Sequence, residues 1–270
     1  MKKQLQEINN FLKGDALYGD DFNEEQLLKW YQEEEDSFFN MHYTSNYVYH
    51  FTAIDKIVTK KFINKEKLVV LGIGSADGQE FKLFASKIEK IYIIENASYP
   101  VIDELKGKTE FLKANYTGKL PFKDNYFDLI VCYSSLHHIA NVSFMFKEFQ
   151  RILKPSGHLF VREPIISMGN WTTKRAGLTK NERGIPIKIF RKIISTSGFY
   201  IKKEVIWNFR PFAKVINLIY KKPIHNSVLL SYFDIFFSVL FYLNYHYHST
   251  KWWHKISPSS IFYILSKNKD

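Results

Sequence analysis

Two adjacent histidines, His137 and His138, come shortly after the apolar run FDLIVCY at 127–133. An imidazole titrates near neutrality, so either ring could take the proton of an acceptor hydroxyl as it reacts. Glu163, in REP at 162–164 after the run HLFVR, is a further candidate for that base or for a hydrogen-bond anchor. Upstream, glycines 72, 74 and 78 directly follow LVVL at 68–71, and an amphipathic stretch at 79–88 comes next. Strand, glycine turn, helix is the order in which a doubly wound α/β domain holds a nucleotide-like ligand at the carboxyl end of its first strand. Glu95 closes the following apolar run, KIYIIE, roughly twenty residues beyond Gly74, where such folds place a ribose-binding carboxylate. A carboxylate there accepts from both ribose hydroxyls without offering a competing donor. Each residue also has a plainer role: the histidines as a structural or ligand-lining pair, Glu163 as a loop-capping ion, Glu95 as a solvated strand end. Cys132, inside an apolar strand, reads as a small buried hydrophobe rather than a nucleophile.

The elements that must position these residues follow from periodicity. Strands are predicted at 68–71, 90–95, 109–115, 127–133, 158–162, 199–209 and 260–266, with helices at 79–88, 142–153 and 187–197 and a stop-and-turn signal at KPSG, 154–157. Strands alternating with helices at this pitch imply parallel βαβ units, so the expected class is α/β: a Rossmann-like, mostly parallel seven-stranded sheet with helices on both faces. The last two strands are expected to form a hairpin closing the sheet. Helices are also predicted at 1–13, 23–35 and 46–62, with the acidic run 33–36 as a solvated face and His42 and Tyr43 as candidates for a lid. The resulting division is a helical cap over 1–63, a core over 64–209, an aromatic helical insertion over 210–257 and a final core strand over 258–270.

Composition narrows the class. Hydrophobic residues make up 46% and charged residues 24% of the 270, which supports a sizeable core and argues against wholesale disorder. A single cysteine excludes an internal disulfide, and no Cys/His spacing suggests a zinc site. The polar start, without an apolar signal core, makes the cytosol the expected compartment. The net charge of +11 invites a nucleic-acid reading, but the lysines are scattered rather than blocked, which makes nucleic acid an unlikely partner.

Four strings resemble the class I S-adenosylmethionine-dependent methyltransferases, particularly the group that includes ubiquinone-type and small-molecule enzymes: VLGIGSADG, IYIIEN, LPFKDNYFDLIVCYSSLHHI and EFQRILKPSGHLFVREP. The resemblance implies S-adenosylmethionine as cofactor, held by the turn Gly72, Gly74, Ser75 and Gly78, by Glu95 and Asn96 at the ribose, by Asn115 and Tyr116 near the adenine, and by backbone of Tyr133 and Ser134. His138, His137 and Glu163 are the implied catalytic candidates. Two departures stand out. The acid that opens the family's glycine motif is Gly72 here, for which Asp77 is a candidate substitute. The middle glycine is Ala76, whose methyl is tolerable only at negative φ. The Asn/Asp-Pro-Pro-aromatic string of base and glutamine-amide methyltransferases is replaced by Tyr133-Ser134-Ser135-Leu136, which favours an oxygen or carbon acceptor. The expected activity is methyl transfer to a small or lipid-linked acceptor, with a sugar or glycan precursor slightly favoured over a quinone-like lipid. Alternatives are a non-catalytic binding module of the same fold and an RNA-directed methyltransferase.

Residues 227–244 form the most hydrophobic stretch. Asp234 at its centre costs about 2.5–3.5 kcal/mol on insertion scales, and strands on either side of the insertion that share one sheet require the chain to leave and return on the same side. Three readings of 211–254 follow: a cap over the active site, a surface helix in peripheral contact with a membrane, or a homodimer interface. Flanking lysines and Trp252 and Trp253 fit interfacial anchoring as well as an ordinary cap.

Overall fold

A computed structural model describes residues 2–40, 49–96, 99–171, 173 and 175–268. Seven strands form one sheet: β1 (Leu68–Ile73), β2 (Ile88–Ile94), β3 (Thr109–Leu112), β4 (Phe127–Tyr133), β5 (Leu153–Pro164), β6 (Tyr200–Phe209) and β7 (Pro258–Ser266), in the order β3-β2-β1-β4-β5-β7-β6. The first five pair in parallel, and β7 runs antiparallel between β5 and β6, so the expected final hairpin is present. The helices are α1 (Lys2–Lys13), α2 (Glu24–Asn40), α3 (Thr52–Thr59), α4 (Val142–Ile152), α5 (Ile187–Thr196), α6 (Arg210–Asn217) and α7 (Val228–Leu240).

Alternation along β1 explains why both faces of the sheet are covered. Leu71 and Ile73 enter a core shared with Phe146 and Phe149 of α4 and Phe190 of α5. Leu68 and Val70 point the other way, into a core with Ile54 and Val58 of α3 and with Phe81 and Phe84.

Three local expectations change. The stretch Gln79–Lys87 is a kinked 3-10 segment rather than an α-helix, with Phe84 at φ −142°. Phe81 and Phe84, three apart, are both buried, and a three-residue turn aligns such a pair on one side. KPSG is not a turn between helix and strand but part of the strand itself; β5 already begins at Leu153 opposite Phe127, and the register shifts before Leu129 meets His158. The predicted helix over 46–62 is confined to Thr52–Thr59, while 46–48, like His42 and Tyr43, lie outside the described residues.

The insertion leaves the carboxyl end of β6 and returns at the start of the antiparallel β7, which is the same edge of the sheet. Among the described residues no helix is long and apolar enough to cross a membrane.

Candidate active site

A cavity of about 570 Å³ opens at the carboxyl edge of the sheet beside β1 and β4, where the strand order reverses. Ligands of open α/β sheets sit at that switch point, and the size suits a small molecule. Gly74, Glu95, Asn96, Asn115, Tyr116, Ser134 and His138 line it. Gly72, Ser75, Gly78, Tyr133, His137 and Glu163 lie off its wall. A second cleft of about 350 Å³, lined by Lys61, Lys65, Asp128 and His158, is at the amino ends of the strands, away from this chemistry.

The glycine turn shows why several of its members are buried. A Cβ at Gly72 would lie 2.5 Å from Ser75 Oγ and 2.9 Å from Phe81, so the space an acid would need is filled. Gly78, at φ +79°, backs onto Leu105. Gly74 takes φ +63°, and Ala76, contrary to the condition set for its methyl, takes φ +43° in the left-handed region. Its amide donates to Glu95 Oε2 at 3.3 Å, while Asn96 N donates to Oε1 at 3.0 Å. Asp77 does not replace the missing acid: its carboxylate takes Gln79 N and Nε2. Burial raises the Glu95 carboxyl, against those two backbone donors.

Glu80, buried beside the turn, is a stronger case. Burial pushes its carboxyl up to about 7, against Ser75 and Arg162. A carboxyl raised from 4.5 in the unfolded chain contributes stability that is complete below that value and lost as pH rises through about 7. Glu80→Gln is therefore expected to stabilise the fold by about 3 kcal/mol at pH 8, with the gain shrinking toward pH 5. Denaturant titrations at the two pH values check this; a less stable Gln variant at pH 8 would show that Glu80 is held ionised.

Asn115 lines the cavity with an altered polarity. Its Oδ1 already accepts from Thr117 N at 2.8 Å and Thr117 Oγ1 at 2.7 Å. The group it presents to a ligand is the Nδ2 donor, not the carbonyl acceptor expected for an adenine amino group. Tyr116 donates to Glu24 at 2.7 Å. Tyr133 turns to the opposite face, where its ring lies 4.5 Å from the Arg162 guanidinium.

Residues 134–140 form the wall nearest the candidate base, and buried ions fix them. Glu163 Oε1 accepts from Ser135 N and Leu136 N, both at 2.8 Å, and Oε2 pairs with His137 Nδ1 at 2.7 Å. Glu163 and His137 are thus internal braces, committed to the turn. His138 Nδ1 pairs with Glu34 Oε2 at 2.9 Å. A carboxylate only accepts, so Nδ1 carries the hydrogen and Nε2 the lone pair. Burial lowers the His138 pKa, His137 adds to this, and Glu34 opposes it, a balance that favours the neutral ring.

Glu34 overturns the expectation of a solvated acidic face. It is buried and accepts from Asn181 N at 3.0 Å as well as His138, while Glu33 holds Lys180 and Asn181. Leu27, Trp30, Tyr31, Glu34 and Glu35 of α2 line the cavity. Trp30 Nε1 donates to His138 O at 2.7 Å, and Tyr31 to Asn96 Oδ1 at 2.8 Å. Periodicity places these residues on a helix but does not say which face the cavity takes. Among the described residues, none of 210–257 lines the cavity.

With this arrangement in view, the comparisons define the class. Residues 71–161 match the methyltransferase-domain family, and the whole architecture is the Rossmann-like methyltransferase fold. The stretch 71–161 is thus similar to a methyltransferase domain. It is 32% identical over 145 residues to the uncharacterized protein MJ0638 of Methanocaldococcus jannaschii, a match covering 54% of this chain and 58% of that one. It thus spans less than two thirds of that relative. Phosphoethanolamine N-methyltransferase 2 of Haemonchus contortus, solved with S-adenosyl-L-methionine, superposes with a TM-score of 0.51 at 17% identity over 80% of this chain and 52% of that one. The [4+2]-cyclase SpnF superposes with 0.52 at 17% identity over 80% and 81%. Since the fold is shared with a cyclase, the chemistry must be argued from the site.

Proposed function

We propose that the protein transfers a methyl group from S-adenosylmethionine to an oxygen of a small or lipid-linked acceptor, with His138 as the base. One observation carries the reading: at the switch-point cavity the ribose-type carboxylate Glu95 and a neutral histidine tied to a carboxylate line the same walls. The residues fit the cofactor by their donor set. Glu95 offers acceptor oxygens, Gly74 and Ser134 offer exposed backbone, and Asn115 offers a donor. The sulfonium supplies an already activated methyl group, so the chain's task is orientation, exclusion of water and removal of one proton. Glu34 holds the imidazole in the tautomer that leaves Nε2 basic, and burial keeps it unprotonated. Trp30 and Tyr31 close the cavity from α2 and bring apolar and aromatic surface against an acceptor. Among acceptors, a sugar or glycan precursor is slightly preferred over a quinone-like lipid, because beside the aromatic surface the wall adds Glu35, a carboxylate able to accept from sugar hydroxyls.

Titration calorimetry with S-adenosylmethionine tests the cofactor, and mass spectrometry of acceptors incubated with labelled cofactor tests the transfer. Absence of binding at millimolar cofactor would overturn the reading and favour a non-catalytic module, for which Ala76 at positive φ and the occluded space at Gly72 speak. Glu95→Ala is expected to weaken cofactor binding about 100-fold, since charge-assisted hydrogen bonds contribute roughly 1.5–3 kcal/mol each. Unchanged affinity would remove Glu95 from the site. His138→Gln is expected to lower the transfer rate about 100-fold while leaving cofactor affinity within a factor of three, the division a proton acceptor gives.

A further inference from the structure

We infer that α6, α7 and the Trp252–Trp253 turn form a docking surface for an anionic lipid bilayer. Helix α7 is inverted relative to an ordinary surface helix. Its buried residues are Ser231, Asp234 and Ser238, at spacings of three and four, while Leu229, Phe236 and Val239 are each about 60% exposed. The inversion has a local cause. Asp234 accepts from Asn208 N at 2.6 Å and Phe209 N at 2.8 Å, and His225 Nε2 lies 3.3 Å away, so the carboxylate caps the backbone where β6 turns into α6. The polar stripe is thereby fixed inward and the apolar stripe outward. The charge that counts against a membrane span in the sequence is on the protein side of the helix.

The neighbouring chain extends the same surface. No residue of α6 is buried, and Leu218 and Ile219 just beyond it are 83% exposed. Exposed aliphatic and aromatic side chains on this scale, gathered on one part of a chain, mark an interaction site.

Charge selects the occupant. Across 210–257 there are six basic residues, Arg210, Lys214, Lys221, Lys222, Lys251 and Lys255, and one acid, the sequestered Asp234. A second copy of the chain would set one such basic group against another, because a twofold contact joins identical patches. An anionic lipid surface complements both the apolar stripe and its lysines, and Trp252, exposed beside Lys251, is of the type that settles at headgroup level. At 13 residues α7 is about 20 Å long, suited to lying in the interface rather than crossing it. The surface begins at the carboxyl end of β6, the edge of the sheet on which the cavity opens.

Vesicle flotation tests this without cofactor or acceptor, so its outcome is independent of the methyltransferase reading. The wild-type chain is expected to float with phosphatidylcholine vesicles containing 30% phosphatidylglycerol and to bind pure phosphatidylcholine at least tenfold more weakly. Its tryptophan emission is expected to shift to the blue on the anionic vesicles. The triple substitution Leu229→Glu, Phe236→Glu and Val239→Glu is expected to weaken that binding at least tenfold, with an unchanged denaturation midpoint showing that the fold is intact. Lys221→Gln with Lys222→Gln is expected to remove most of the preference for anionic lipid. No binding by the wild type, or equal binding by the triple variant, would overturn the proposal. So would a wild-type dimer in sedimentation velocity that the triple variant dissolves, which would make the face a protein interface instead.

Discussion

Arg183→Met is expected to lower global stability by about 4 kcal/mol, read as a fall in denaturant midpoint at constant slope. The guanidinium is fully buried, with none of its donors ending on a carboxylate in the bonds it makes. Nε donates to Tyr18 O at 2.9 Å, Nη1 to Leu136 O at 3.1 Å, and Nη2 to Ile139 O and Ala140 O at 2.9 and 3.0 Å. Its flat face lies 5.1 Å from the Trp30 ring. Methionine fills much of the stem volume but leaves the part-buried Tyr18 O and Ile139 O without the donor they have here, at about 1–3 kcal/mol each, while Leu136 O and Ala140 O keep only Ile139 N and Val142 N. Part of this is offset because the variant no longer buries a cation, a cost visible in the lowered pKa that burial gives Arg183. Arg183→Lys should fall between the two, since one ammonium cannot reproduce the fork that spans Tyr18 and Ala140. A loss below about 1 kcal/mol for the methionine variant would mean that the staple does not hold this region together. The functional corollary concerns the same carbonyls. Leu136, Ile139 and Ala140 flank His138, so a surviving fraction of the variant is expected to lose turnover more than cofactor affinity.

Arg183 also shows where sequence reasoning stops. The strands, the glycine turn and Glu95 were legible because their signals are local: apolar runs, φ-demanding glycines and a fixed spacing from Gly74 to Glu95. The residues that complete the site come from contacts across the chain. Glu34 meets His138 over 104 positions, and Arg183 reaches Tyr18 over 165. No periodicity encodes such pairings, and an acidic run reads as solvated until a partner faces it. Local chemistry also misdirects within the motifs. Glu163 and His137 have the residue types of a catalytic pair, yet two backbone amides and their mutual bond commit them to holding the turn. Tyr133 is expected to meet a ligand only through its backbone, and strand alternation sends its side chain to the face that carries α3. In α7 the hydrophobic stretch was legible but the stripe that faces the protein was not, since one buried carboxylate decides it.

The same logic makes Asp55→Ala the second large effect, a loss of about 3–5 kcal/mol, the range for breaking a buried ion pair from one side. Arg162 Nη1 lies 2.7 Å from Asp55 Oδ1, and both groups are almost wholly shielded from solvent. Aromatic rings surround the cation, Phe51 at 4.1 Å and Tyr133 at 4.5 Å, with Tyr49 hydrogen-bonded to Asp55. Although burial works against it, Asp55 holds the guanidinium pKa above its ordinary value. Removing the carboxylate therefore leaves the buried cation with the Tyr49 hydroxyl and attractive ring faces but without its opposite charge. Adding Arg162→Met should recover at least half of the loss, because the second substitution removes the stranded charge; the double-mutant cycle isolates that coupling. The pair matters to the cavity through the backbone. Arg162 O accepts from Ser134 N at 2.7 Å, which seats the residue that lines the cavity at φ +55°. Cofactor affinity should accordingly fall in the single variant and return toward wild type in the double. If the double variant were as unstable as the single, the cost would lie in the lost Tyr49–Asp55 contact and the packing of α3 rather than in the stranded cation.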